Sequence, residues 1–455
     1  MTFLSILLIA IASTCQAANT PAGPLRAGAA KVDITPDASD LPRQFLGILD
    51  RIYSRAIVVD NGTTSAALVT VDVLFMPDPM CRRLIERITS ELGIPAKNIV
   101  LAGTGTHSVP MGRAGQVPGP GTQIEPGISI DDQIVASVRL AQQKLQAARM
   151  GFGTGVSYIN VQRDRIDPDT GRWWEGPNYE GTSDKTVAVL KFESLSGEPI
   201  AVYYNYAVFN VITGTTDLLS GDISGASSRY IEDSFDDKVV AAFSLGAHGD
   251  QNPIYFQQTM DLRDIRIKEY AKRGEDIENA MPPPGGTGLD RRNPAVARLL
   301  NQQKQMILSM GQLLGEEVLH VIRTTSREQS TLQLHAEHKT ISCPGRERTN
   351  TGRAGFAGTY KDAGPVEMRL GVLMIGNVAI GFINGIPYNE IALRLKRESP
   401  YKNTMLATRV NGMSGAGYIP DDASFGHYTF QVLSSNLKPG CAESAIVNGI
   451  IDLMP

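Results

Sequence analysis

Apolar residues in this chain fall into two recurring arrangements. Short, nearly continuous apolar runs at Ala66–Val71, Asn98–Leu101, Thr186–Phe192, Pro199–Tyr204, Val239–Phe243, Gly371–Ile375 and Val378–Phe382 predict strands covered on both faces. Longer stretches with apolar positions at helical spacing predict helices over Asp78–Leu92, Asp131–Arg149, Ser224–Asp233, Pro294–Thr324 and Asn389–Arg397. Strands and helices alternate, which predicts an α/β fold with helices packed on a mixed sheet.

Two segments fall outside this pattern. Residues 1–20 carry no charge and hold an apolar stretch, Phe3 to Ala12, too short to span a bilayer. We read residues 1–18 as a cleaved secretory signal, 19–455 as the mature protein, and its location as secreted or periplasmic. No later segment is apolar for long enough to predict a transmembrane helix. Between Gln257 and Asn293 the chain turns charged and then runs through Met281-Pro282-Pro283-Pro284-Gly285-Gly286, so a surface insertion is expected over 257–293.

Composition narrows the picture modestly. A chain of 455 residues with 42% hydrophobic content is globular, and a net charge of −4 argues against a nucleic-acid partner. After the signal only Cys81, Cys343 and Cys441 remain; at most Cys343 and Cys441 pair, with Cys81 on an apparent helix.

Candidate chemistry sits in loops that follow strand-like runs, where a sheet fixes the backbone and small residues let a ligand approach. These loops are Gly103-Thr104-Gly105-Thr106-His107-Ser108, Asn205 to Asn210, Ser244 to Pro253 and Asn384 to Tyr388, and their shared placement suggests one cleft. If their loops converge, His107 and His248 suit a base and an acid; otherwise each imidazole bonds neighbouring backbone. Asp250 suits either the orienting of an imidazole or a turn, and Asn252 either an oxyanion donor or a lock on its own turn. Asp222 stands before a predicted helix, as a cap or a substrate contact. Arg163 and Arg165 suit a polar substrate group or surface ion pairs. Trp173 and Trp174 suit stacking on a sugar, contact with an acyl chain, or packing of their own loop, and Tyr418 offers a phenolic proton.

In order and spacing, several segments resemble the amino-terminal catalytic domain of neutral and alkaline, non-lysosomal ceramidases. They are Ala27 to Pro36, Asp50 to Ala56, Thr106-His107-Ser108, Leu219-Ser220-Gly221-Asp222, Gly249-Asp250-Gln251-Asn252-Pro253, Gly417-Tyr418-Ile419-Pro420 and His427-Tyr428. The resemblance implies that family's fold, and enzymes that use zinc to hydrolyse the amide of an N-acyl sphingoid base, a step in sphingolipid metabolism. It also implies that the family's zinc-ligand positions fall on Gly105, on Phe209, near Ile386 and near Met413, and that a family serine falls on Asn252. His107 aligns with a further family histidine, and Arg163 and Arg165 with a segment that approaches substrate.

Gly, Phe, Ile and Met supply none of the nitrogen, thiolate or carboxylate donors that zinc takes, so no metal ligand and no cofactor is predicted. Zinc would require a relocated site using His107, His248 and Asp250. The expected activity is that of a ceramidase-like hydrolase with a remodelled site, acting on an amide (C–N) or related bond of a small-molecule, lipid or glycan substrate. The alternatives are a metal-independent lyase or other enzyme acting on a saccharide, and a non-catalytic lipid- or glycan-binding protein on the same scaffold.

Overall fold

Two sheets lie face to face with helices on both outer sides, in a computed structural model that describes residues 21–42, 45–109, 123–125, 128–215, 217–277, 289–325, 328–350 and 355–455. The larger sheet contains β1 (Arg26–Asp33), β2 (Tyr53–Asp60), β3 (Ser65–Val71), β4 (Ile99–Gly103), β5 (Gln146–Val156), β6 (Thr186–Ser194), β7 (Pro199–Tyr206) and β8 (Val240–Leu245). Their order is β8-β7-β6-β5-β1-β2-β3-β4, with Glu328–Gln329 also paired to β5. The pairs β3–β4 and β7–β8 are parallel and the others antiparallel, so the sheet is mixed as expected. The smaller sheet has the order β9 (Leu334–Arg348), β10 (Tyr360–Ile375), β11 (Val378–Ile383), β12 (Asn403–Thr408), with β11 and β12 parallel.

The continuous apolar runs are explained by this layering. Ala66 and Leu68 of β3 face the other sheet, packing with Ile380, Phe382 and Met405. Their neighbours Ala67, Val69 and Val71 face the opposite way, toward Leu84 and Ile88 of helix α1 (Asp78–Leu92) and Ile134 and Val138 of α2 (Ile130–Gln143). On the other half of the sheet Val189, Tyr204 and Phe243 pack under α3 (Asp222–Asp233) and the long helix Pro294–Thr324. That helix approaches α3 closely because a Cβ at Gly311 would stand only 2.5 Å from Ala226 Cβ. Helices Asn389–Glu398 and Ala442–Ile451 cover the outer face of the smaller sheet. Each fully buried Val, Leu or Ile contributes about 1.5–3 kcal/mol, so a run filled on both faces gains stability at every position.

One sequence expectation is corrected. The helix expected over Asp131–Arg149 ends at Gln143, and residues from Gln146 onward form β5. Pairing with β6 from Ser194↔Ala148 to Thr186↔Val156 overrides the local helical spacing. The segment expected as a surface insertion begins with a helix, Gln257–Ala271, whose buried Leu262 packs on Val296, Leu299 and Leu300. Residues 281–286 and the predicted signal at 1–18 lie outside the described residues. Among the described residues no helix is long and apolar enough to cross a membrane.

Cys343 on β9 is disulfide-bonded to Cys441, which precedes helix Ala442–Ile451, while Cys81 on α1 is buried and unpaired. A buried ionic cluster also ties the layers together. Arg55 on β2, 2% exposed, pairs with Asp72 at 3.0 Å and with Glu232 of α3 at 2.8 Å.

Candidate active site

The outermost strands β4 and β8 approach one another, so the loops leaving their carboxyl ends meet those leaving β7, β11 and β12. Backbone hydrogen bonds sew these loops together: His107 N–H donates to Asn210 O, Phe209 N–H to Gln251 O, and Gly249 N–H to Pro387 O. The convergence expected for the four loops is present.

Phe209 stands at the centre of this end. Its ring centroid lies 5.9 Å from that of His107, 4.6 Å from that of His248 and 6.3 Å from that of Tyr418. Two guanidiniums lie over the same ring, Arg163 at 5.4 Å and Arg409 at 5.8 Å. Tyr418 in turn packs on Phe430, whose ring is 45% exposed at the rim.

The histidine tautomers follow from their partners. His107 Nδ1 lies 3.0 Å from both the Gly105 and Asn210 carbonyl oxygens, which accept only, so Nδ1 carries the proton and Nε2 presents its lone pair. His248 Nδ1 lies 2.8 Å from Gly246 O and 3.2 Å from Thr408 Oγ1, which gives it the same tautomer. Its Nε2 is buried without a hydrogen-bond partner. Burial, reinforced by the Arg409 charge, lowers His107 to about 4 and holds His248 well below the ordinary imidazole range, so both rings are neutral near pH 7. His107 is only partly buried, whereas His248 is fully enclosed.

A small three-stranded sheet supplies one wall, with Asn160–Ile166 between Trp173–Asn178 and Gln251–Pro253. Its register sets Val161 opposite Asn252 and Asp164 opposite Glu175. Glu175 Oε1 accepts from Arg163 Nη2 at 2.7 Å and from Asn252 Nδ2 at 2.8 Å. Burial of Arg163 is outweighed by the Glu175 charge, so its pKa is raised. Trp173 Nε1 donates to Asp164 Oδ1 at 2.6 Å, while Trp174 is 44% exposed with the Arg165 guanidinium 5.4 Å from its ring.

Asp250 and Asp222 lie behind this surface. Asp250 Oδ1 accepts from Asn389 N at 2.9 Å, its Oδ2 accepts from Asn389 Nδ2, and burial pushes its carboxyl up to about 7. Its contacts hold the Asn389 helix start to the His248 loop. Asp222, fully buried at a φ of 55°, accepts from Thr213 N at 2.8 Å and from Ile223 N at 2.8 Å, and burial raises it to about 6. Thr213 O accepts from Ser108 Oγ at 2.6 Å, so Asp222 supports the loop beside His107.

Sequence reasoning overlooked Arg409 and Glu175. Arg409 follows β12, a strand hidden in the mixed segment Asn403–Thr408; Glu175 is one carboxylate in a polar hairpin, and its only signal was its place beside Trp173 and Trp174. Among the described residues no group of three or more His, Cys, Asp or Glu side chains is placed to hold a metal ion.

A family model described as neutral/alkaline non-lysosomal ceramidase, N-terminal, matches residues 28–388. The neutral ceramidase of Pseudomonas aeruginosa is 28% identical over 306 residues, covering 60% of this chain and 44% of that protein. Neutral ceramidase B of Dictyostelium discoideum is 28% identical over 224 residues, 46% of this chain and 31% of that one. The chain thus spans less than half the length of these curated relatives. The crystal structure of the Pseudomonas aeruginosa neutral ceramidase superposes with a TM-score of 0.68 at 17% identity, covering 94% of this chain and 74% of that one. A structure titled as ceramidase complexed with C2 gives a TM-score of 0.69 at the same identity and coverage. At that identity the structural likeness is one of fold, and it agrees with the family match: the chain belongs to the neutral/alkaline, non-lysosomal ceramidase family.

Proposed function

We propose that this protein is a secreted hydrolase with a remodelled, metal-independent site that cleaves an amide or related bond, with His107 as its general base. The observation that carries the reading is the state of His107: neutral, partly accessible, and held by two carbonyls so that Nε2 is free to take a proton. Nε2 draws a proton from water as the oxygen attacks the carbonyl carbon. In this reading Arg163 and Asn252, joined through Glu175, supply the donors to the developing oxyanion, and the Tyr418 hydroxyl is the proton source for the leaving group.

The residues at the zinc-ligand positions implied by the family resemblance do not fit that ion. Phe209 fills the space between the imidazoles with hydrocarbon, Gly105 has no side chain, and Ile386 and Met413 bring no nitrogen, thiolate or carboxylate. A disulfide between Cys343 and Cys441 supports an oxidising location.

The test is His107→Ala in the full chain, assayed against N-acyl amides. The expected result is a loss of about 10²–10⁴-fold in turnover with an unchanged fold by circular dichroism. Unchanged turnover would remove His107 from the mechanism. A lyase acting on a saccharide is the second reading, favoured by the exposed Trp174 ring beside Arg165, and unsaturated products absorbing in the ultraviolet would select it.

A further inference from the structure

Among the described residues, Arg409 is a buried cation without a counter-ion. It is 3% exposed, and among the described residues its one side-chain hydrogen bond runs from Nη1 to Leu74 O at 2.7 Å. Its Nε is buried with no partner. Its backbone sits at a φ of 54°, a conformation that a residue with a side chain holds only when its surroundings impose it. Burying a guanidinium is costly unless a carboxylate or an equivalent anion offsets the charge.

The nearby acids are already engaged. Glu175 accepts from Arg163 and Asn252, Asp164 from Trp173 and Gln431, and Asp250 from Asn389. Arg163, 8% exposed, also keeps an unpartnered buried Nε. Among the described residues, two guanidiniums therefore lie over one phenyl ring with a single carboxylate bonded to either of them. Arg409 lies beside the glycine loop: a Cβ on Gly105 would stand 3.7 Å from Arg409 Nη1, in ordinary van der Waals contact.

We propose that Arg409 forms a binding site for an oxyanion, so that the substrate of this cleft carries a carboxylate or sulfate group beside the bond presented to His107. The proposal rests on the reading of the Phe209 cleft as the substrate site. Guanidinium N–H groups match both anions, and hydrogen bonds to an ionised acceptor in an enclosed site are strong.

The test uses the full-length protein with sodium sulfate and sodium acetate as probes, each against sodium chloride at equal ionic strength. Binding is followed by titration calorimetry and by the His107 imidazole signal in NMR. The expected result is saturable binding of at least one probe, with the His107 pKa rising by about one unit as the Arg409 field is neutralised. Arg409→Gln is expected to weaken binding at least about tenfold, and Arg409→Lys less. Sulfate alone binding assigns a sulfate group, and acetate alone a carboxylate.

The proposal is overturned if neither probe shifts His107 relative to chloride, a measurement on the unmodified protein that does not depend on any variant folding. It is equally overturned if Arg409→Gln binds as tightly as the parent. Anion binding together with full turnover in His107→Ala would remove His107 as the base and leave the anion site standing; an inactive His107→Ala with no anion binding would do the reverse.

Discussion

Phe209 stands edge-on to His248 with ring centroids 4.6 Å apart, and this contact separates the two imidazoles of the site. The phenyl ring denies both histidines a polar partner on that side and lowers the local polarity. Each imidazole therefore keeps a carbonyl-anchored Nδ1–H and a bare Nε2 instead of joining the other in one relay.

The protonation of His107 makes stability depend on pH. In the unfolded chain an imidazole titrates near about 6.5, whereas in the folded protein His107 is lowered to about 4. Between those values the unfolded chain binds the extra proton, so the contribution is complete above about pH 6.5 and is lost as the pH falls through 4. The gap corresponds to about 3 kcal/mol. Denaturant unfolding from pH 4 to 7 should show the parent gaining stability more steeply than His107→Gln, and parallel curves would mean that His107 titrates normally.

Asp250 acts with the opposite sign. Its folded pKa of about 7 lies above the unfolded value near 3.9, so its carboxyl favours the folded state when protonated. That contribution is complete below about pH 4 and is lost as the pH rises through 7, a change on the order of 4 kcal/mol. Asp250→Asn removes the ionisation, so its stability relative to the parent should improve between pH 4 and pH 7. A constant difference across that range would contradict the raised pKa.

Much of the scaffold was legible because its elements obey local rules. The helices Asp78–Leu92 and Pro294–Thr324 begin and end as their apolar spacing and caps predict, with Pro79 and Pro294 in the first turn and Gly93 closing the first of them. The segment after Gln143 was misread because partners distant in sequence, from Thr186 to Ser194, decide its conformation. The same limit applies to the site. His107 and His248 could be named from their loops, but the Phe209 ring between them and the cation Arg409 beside Gly105 arise only when the outermost strands of the sheet meet. The resemblance marked Gly105 and Phe209 as changed positions without showing what fills the space.

The Cys343–Cys441 bond closes a loop with a sequence separation of 98 residues and fastens the carboxy-terminal helix to β9. Cross-linking chain segments this far apart restricts the unfolded ensemble, typically by about 2–4 kcal/mol. Cys441→Ser is expected to lower the unfolding free energy by that amount in guanidinium titrations. The parent in reducing buffer should shift to the same midpoint, and a midpoint that reductant leaves untouched would show that the bridge adds no stability.

Gly105 is the position at which the proposed remodelling can be probed most directly. It sits at a φ of 83°, where a Cβ would lie 2.8 Å from Cδ2 of the buried Leu245. A residue with a side chain pays about 1–2 kcal/mol for the left-handed backbone, and displacing a packed leucine costs about 1–3 kcal/mol more. Gly105→Ala should therefore lose about 2–4 kcal/mol, and Gly105→His at least as much. On the proposed metal-independent reading, the parent, by contrast, should keep its melting temperature and turnover after exhaustive chelation, with the Phe209 and Arg409 side chains at the centre of the cleft. Zinc added to the chelated parent should leave both quantities unchanged. A melting temperature that falls on chelation and returns with one equivalent of zinc would show that His107 and His248 find a third ligand, and that the cleft is a relocated metal centre.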